Sequence, residues 1–91
     1  MKINKIMCCC GCGLGSSLIV AMNVESALNK LGISGVEVLH TSLSDTTPDS
    51  ADLFVIGRDL ESQSGDFKNK ILLNNIMDME ELESKLKEKF S

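Results

Sequence analysis

Ninety-one residues, 43% of them apolar, are enough for one modest hydrophobic core, and the expected organisation is a single domain over residues 1–91. Thirteen acidic residues against nine basic ones give a net charge of −4 with no basic face, which excludes a nucleic-acid binder. No stretch is apolar for long enough to span a bilayer and the N-terminus carries no signal-peptide pattern, so direct membrane insertion is not expected and the predicted location is the cytoplasm.

Residues 3–9 read as a strand. The run from Ile6 through Cys9 is continuously apolar, as in the centre of a parallel sheet. Next comes Cys8-Cys9-Cys10-Gly11-Cys12-Gly13-Leu14-Gly15-Ser16-Ser17, and a second apolar stretch opens at Leu18. The order is strand, glycine-rich turn, helix. Such a turn aims several backbone N–H groups and the positive end of the helix dipole at one spot, where an anion can sit. The same field lowers a thiol's pKa, so a cysteine there can act as a nucleophile.

Ser16 or Ser17 is expected to cap a helix that runs to about Leu31, with Ala21, Val24, Leu28 and Leu31 on one face and Gly32 as its stop. The N-terminal half of this helix is apolar nearly all round, which predicts that it is buried. All thirteen carboxylates lie from Glu25 onward, leaving the first strand, the cysteine loop and the helix start without negative charge. An anion site requires that.

In Val36-Glu37-Val38-Leu39-His40 two valines alternate with a charge, which suits an edge strand with one wet face. Residues 41–50 have loop chemistry, and Ala51–Ile56 reads as a central strand ending at Gly57-Arg58-Asp59. A polar connection leads to a short fourth strand, Lys70–Leu73, followed by Asn74-Asn75. Asp78 and Glu81 form a capping-box-like start for a last helix whose inner face is Met79, Leu82, Leu86 and Phe90. The pattern is β-α-β-β-β-α, an α/β chain. Parallel strands would require further helical turns within 41–50 and 59–66.

Cys10 is the candidate nucleophile, because it stands at the strand's end and leaves a six-residue turn to Ser16. Cys8 and Cys9 belong to the strand and read as small buried hydrophobes. Three consecutive cysteines and a fourth two residues on cannot close useful disulfide loops, so a reducing compartment fits. Cys9 and Cys12 do form a C-x-x-C, which leaves open a metal- or redox-binding module built on the Cys8–Cys12 cluster. A metal would need more ligands, and the only histidine, His40, lies far along the chain, so no metal and no cofactor are expected. If the strands are parallel, His40, Arg58 and Asn74 or Asn75 share the carboxyl edge with Cys10. Arg58 is a candidate accessory to a phosphate there. Met22 and the other methionines read as core or partner-facing residues.

At Cys10-Gly11-Cys12-Gly13-Leu14-Gly15-Ser16-Ser17, followed by an apolar helix with Met22 and Val24, the chain resembles the IIB components of the bacterial phosphoenolpyruvate-dependent sugar phosphotransferase system (PTS). Within the lactose/ascorbate/galactitol IIB-like group it is most similar to the ascorbate-type branch. The resemblance implies a three-layer fold: a four-stranded parallel sheet of order 2-1-3-4 flanked by helices, Rossmann-like and similar to low-molecular-weight phosphatases. It also implies an activity, a phosphohistidine–sugar phosphotransferase with a phosphocysteine intermediate. Cys10 would take phosphate from a IIA partner and pass it to a sugar held by the membrane IIC permease, to which the chain would be peripheral. Gly11, Cys12, Gly13, Leu14, Gly15, Ser16 and Ser17 would form the phosphate loop. Relatives usually carry a small polar residue where this chain has Cys12. The low-molecular-weight tyrosine phosphatases place an arginine where this chain has Ser16. Losing that bidentate clamp weakens the phosphatase alternative.

Overall fold

The computed structural model describes residues 3–10, 16–42, 46–65, 67, 69–75 and 78–90. Its elements are β1 (Lys5–Cys10), α1 (Ser16–Lys30), β2 (Glu37–Ser42), β3 (Leu53–Gly57), a 3-10 helix (Arg58–Gln63), β4 (Lys70–Leu73) and α2 (Met79–Phe90). The strands form one all-parallel sheet in the order β2-β1-β3-β4, an α/β three-layer fold.

Burial follows strand position. All five residues of β3 are buried, as expected of an interior strand with both faces covered, whereas no residue of the edge strand β2 is fully buried. Alternation along β1 divides the core. Ile6 and Cys8 join Val20, Val24, Ala27, Leu82 and Leu86 beneath α1 and α2, while Cys9 joins Phe54, Ile56, Leu60 and Phe67 on the other face. There the 3-10 helix supplies Leu60, and the Phe54 and Phe67 rings meet at 4.7 Å with a 60° tilt. This is the extra turn that parallel pairing of β3 and β4 demanded.

The capping arrangements depart in part from the sequence reading. α1 starts at Ser16, so both serines lie inside its first turn rather than ahead of it. Gly32, at φ 73°, turns the chain after α1 as expected of a C-terminal glycine. At α2 the Glu81 N–H donates to Asp78 Oδ1 at 3.2 Å, but the Glu81 carboxylate reaches the backbone N–H groups of Asn74 and Asn75 instead of returning to Asp78. Half of the capping box is therefore spent on tying β4 to α2.

The expectation that the N-terminal half of α1 is buried is overturned. Val20, Ala21 and Val24 are buried, but Leu18, Ile19 and Met22 are 45%, 42% and 59% exposed. The sheet offers α1 only one face to cover, so a helix apolar all round leaves part of its surface in solvent. Among the described residues, no helix is long and apolar enough to cross a membrane.

Candidate functional site

All four strands run parallel, so their carboxyl ends lie along one edge. The register aligns that edge closely: Cys10 pairs with Ser42, Cys9 with Ile56, and Gly57 with Leu73. The last residues of the four strands thus form one row. From β1 the chain passes through α1 to β2 on one side, while β3 lies on the other side of β1. Ligands of open parallel sheets bind at such a switch point, just beyond the carboxyl ends. Cys10 ends β1 at that place.

α1 begins six residues later and contributes its N-terminus. Its first turn contains no acidic residue, so the positive end of its dipole is uncompensated by side chains. Ser17, in that turn, is only 2% exposed. Gly11, Cys12, Gly13, Leu14 and Gly15 lie outside the described residues, as do the side chains of Cys10 and Ser16.

The neighbouring cysteines are in the interior. Cys8 is fully buried, and burial, followed by electrostatic interaction with Cys9 and Glu25, pushes its thiol far above the usual range. Cys9, 2% exposed, faces the opposite core and donates from Sγ to Thr46 Oγ1 at 3.6 Å. Two thiols on opposite faces of a sheet cannot share one ion. Among the described residues no group of three or more His, Cys, Asp or Glu could hold a metal.

The other edge candidates have positions and contacts of their own. His40 pairs with Cys8, two registers before the end of β2, and is exposed, because β2 continues through Thr41 to Ser42. Arg58 immediately follows β3, but its Nη1 donates to Glu61 Oε1 at 3.4 Å, and it lines a cavity with Lys70, Leu72, Lys85 and Lys89 at the β4 edge. Asn74 and Asn75 follow β4 at the carboxyl edge. Glu81 accepts from the Asn74 N–H at 3.0 Å, from Asn74 Nδ2 at 2.8 Å and from the Asn75 N–H at 3.1 Å.

Two features escaped sequence reasoning. Glu81 also accepts from Lys85 Nζ at 2.8 Å, and that contact, then the Asn74 N–H, hold its carboxyl down to about 2. Lys85 Nζ simultaneously donates to the Leu72 carbonyl of the edge strand β4. The i,i+4 spacing of Glu81 and Lys85 is visible in the sequence, but their reach to β4 is not. Thr46 is the second feature: it accepts from the Cys9 thiol and donates to the Ser42 carbonyl at 2.9 Å, bridging β1 and β2 at the carboxyl edge.

Residues 5–88 match the family model for the PTS system, Lactose/Cellobiose specific IIB subunit. Over 63 residues, 69% of this chain, the sequence is 33% identical to the PTS system mannitol-specific EIICB component of Halalkalibacterium halodurans. The matched stretch spans 13% of that relative's length.

Proposed function

The chain belongs to the family of PTS IIB subunits, and from that premise we propose that it is a phosphocarrier whose acceptor is Cys10. The observation that carries this reading is the placement of Cys10 as the last residue of β1 at the switch point of the sheet, with the acid-free N-terminus of α1 six residues on. The helix dipole there favours a thiolate and then the phosphoryl group it receives.

The relay runs in two displacements. The Cys10 thiolate attacks phosphorus on the phosphohistidine of a IIA protein; the S–P bond forms, the N–P bond breaks, and the proton given up by the Cys10 thiol goes to the departing ring nitrogen, so that the histidine leaves as neutral imidazole. A sugar hydroxyl held by a membrane IIC permease then attacks the same phosphorus. The O–P bond forms, the S–P bond breaks, the hydroxyl proton passes to a base, and the thiolate is restored. In both steps charge spreads over three equatorial oxygens, and the donors of residues 11–17 are the groups placed in sequence to receive it. The chain works in the cytoplasm against the inner face of the permease. The sugar we propose is ascorbate-like, on the strength of the loop sequence; the family description names lactose and cellobiose, and the relative's name mannitol.

Ser16 stands where the phosphatases carry an arginine, so the phosphatase reading lacks its clamp. The buried, oppositely directed Cys8 and Cys9 do not favour a metal- or redox-binding module.

The test is intact mass of the wild type and each Cys→Ser variant after incubation with phosphoenolpyruvate, the general phosphotransferase proteins and candidate IIA partners. One added phosphoryl group, lost in Cys10→Ser and retained in Cys8→Ser, is expected. An adduct that persists in Cys10→Ser removes the assignment. Transfer onward to ascorbate, lactose, cellobiose or mannitol in permease-containing vesicles then identifies the sugar.

A further inference from the structure

We propose that the groove between the outer edge of β4 and the last turns of α2 is a second site, one that binds a phosphate monoester of a polyhydroxy compound, a ligand of the sugar-phosphate class. The cavity there measures about 390 Å³, within the range of small-molecule sites. β4 is an outer strand and β3 lies between it and β1, so the groove is about 10 Å across the sheet from the strand that carries Cys10. Lys85, Glu88 and Lys89 reach the groove from one face of α2, and Arg58 and Lys70 reach it from the sheet. The chain has nine basic residues against thirteen acidic ones, yet four of the nine converge on this cavity and only one carboxylate, Glu88, lines it.

Two of the four cations are anchored without being neutralised. Lys70 Nζ donates to the Ser64 carbonyl at 2.7 Å, and Ser64, fully buried, is tied by its own hydroxyl to the Glu61 carbonyl at 2.9 Å. Lys89 Nζ reaches from α2 to Asn69 Oδ1 at 3.1 Å, while Asn69 Nδ2 donates to the Asp52 carbonyl at 2.8 Å and so fixes the amide. Among the described residues neither lysine forms an ion pair. Each ammonium therefore keeps its charge and two further N–H donors, and is held in place before a ligand arrives. Lys85 is spent otherwise: paired with Glu81 and donating to the Leu72 carbonyl, it closes the strand edge. Arg58 meets Glu61 at 3.4 Å with both side chains about half exposed, a weak pair that a phosphate displaces.

The lining selects the ligand. Two anchored ammonium groups and a guanidinium match a dianionic phosphate. Ile71 and Leu72 add apolar surface that a carbon skeleton covers and inorganic phosphate does not. Among the described residues no aromatic ring lines the cavity to stack on a nucleobase, and Glu88 accepts from hydroxyl groups while repelling a second phosphate.

The experiment is a backbone-amide NMR titration of the whole chain with glucose phosphate, glucose, adenosine monophosphate and inorganic phosphate. Glucose phosphate should give saturable shifts at residues 69–73 and 85–89, with glucose giving none and the other two probes binding at least about fivefold more weakly. Lys70→Met and Lys89→Met should each weaken glucose phosphate about tenfold, the loss of one charge-assisted contact, with circular dichroism confirming the fold. Lys87→Met makes the same charge change on α2 outside the cavity and should alter the Kd less than about twofold. The shifts should persist in Cys10→Ser, so this site stands or falls apart from the carrier reading. Equal weakening in Lys87→Met overturns the site in favour of bulk charge, and shifts confined to residues 11–17 overturn it in favour of the acceptor loop. Inorganic phosphate or adenosine monophosphate binding as tightly as glucose phosphate overturns the ligand class. No saturable shift on the wild-type chain overturns the proposal outright.

Discussion

The Cys9 thiol and the Thr46 hydroxyl meet at 3.6 Å beside the carboxyl edge of the sheet, and Thr46 passes the interaction on to the Ser42 carbonyl at 2.9 Å. Ser42 is the register partner of Cys10. One hydroxyl therefore joins Cys9 to the register partner of Cys10. Thr46→Val keeps the shape and deletes both hydrogen bonds. A loss of about 1 kcal/mol in denaturant unfolding is expected. Cys10 should also accept phosphate several-fold more slowly, with Thr46→Ser restoring both. A variant that loses stability yet accepts phosphate at the wild-type rate would show that the bridge serves the fold alone.

Glu81 gives the molecule an acid-sensitive tie. Lys85 and the Asn74 and Asn75 N–H groups favour its charged form, so its carboxyl is held at about 2, below the usual carboxylate range. A depressed folded-state pKa means that the unfolded chain binds the proton first. The stabilisation is complete above about pH 4.5 and is lost as pH falls toward 2. Chemical denaturation between pH 7 and pH 2 should show this loss, and Glu81→Gln should flatten it while costing about 2 kcal/mol at pH 7. An unchanged pH slope in Glu81→Gln would assign the acid sensitivity to other groups.

Much of the fold was legible because its signals are local. The apolar run at Ile6–Cys9, the alternation at Val36–Val38 and the Lys70–Leu73 segment each carry their own period, and all three are strands. Gly32 marks the end of α1 because its φ of 73° is one that few other residues adopt. The order 2-1-3-4 came only with the family resemblance, since pairing partners are not encoded in any single segment. The errors are equally physical. An all-apolar helix start reads as buried, but burial depends on what faces it, and Leu18, Ile19 and Met22 face solvent. Asp78 and Glu81 have capping-box spacing, yet Glu81 finds better donors on Asn74 and Asn75, brought near only by tertiary structure. At the site, the end of β1 placed Cys10 correctly at the carboxyl edge. Thr46 carried no signal, because a threonine in a polar loop reads like its neighbours Thr47 and Ser50.

The two helices lean on β1, β3 and β4 chiefly through residues that are almost completely enclosed. Leu86 of α2 is fully buried in the core it shares with Val24 and Ala27 of α1 and with Leu53 and Ile71 of the sheet. Leu86→Ala should cost about 3 kcal/mol, the removed side chain leaving a cavity that neighbours on three elements cannot close. Thermal unfolding followed by circular dichroism measures it. A cost under 1 kcal/mol would mean that α2 repacks, and that its hold on β4 comes from the Glu81 and Lys85 contacts rather than from the core.

Cys8 and Cys10 should differ sharply in chemistry although only one residue separates them. Cys8 has no exposure, and burial, reinforced by Cys9 and Glu25, keeps its thiol protonated. An alkylating reagent requires both access and a thiolate, so Cys8 lacks both requirements. Iodoacetamide at pH 8 is expected to leave Cys8 unmodified in the folded protein and to modify it fully after unfolding in guanidinium, as peptide mass mapping would show. The rate of Cys8 labelling then reports unfolding and should rise in Leu86→Ala. Labelling of Cys8 in the native protein at a rate comparable to an unstructured thiol would place it outside the core. The choice of Cys10 over Cys8 as the phosphate acceptor would then lose its physical basis.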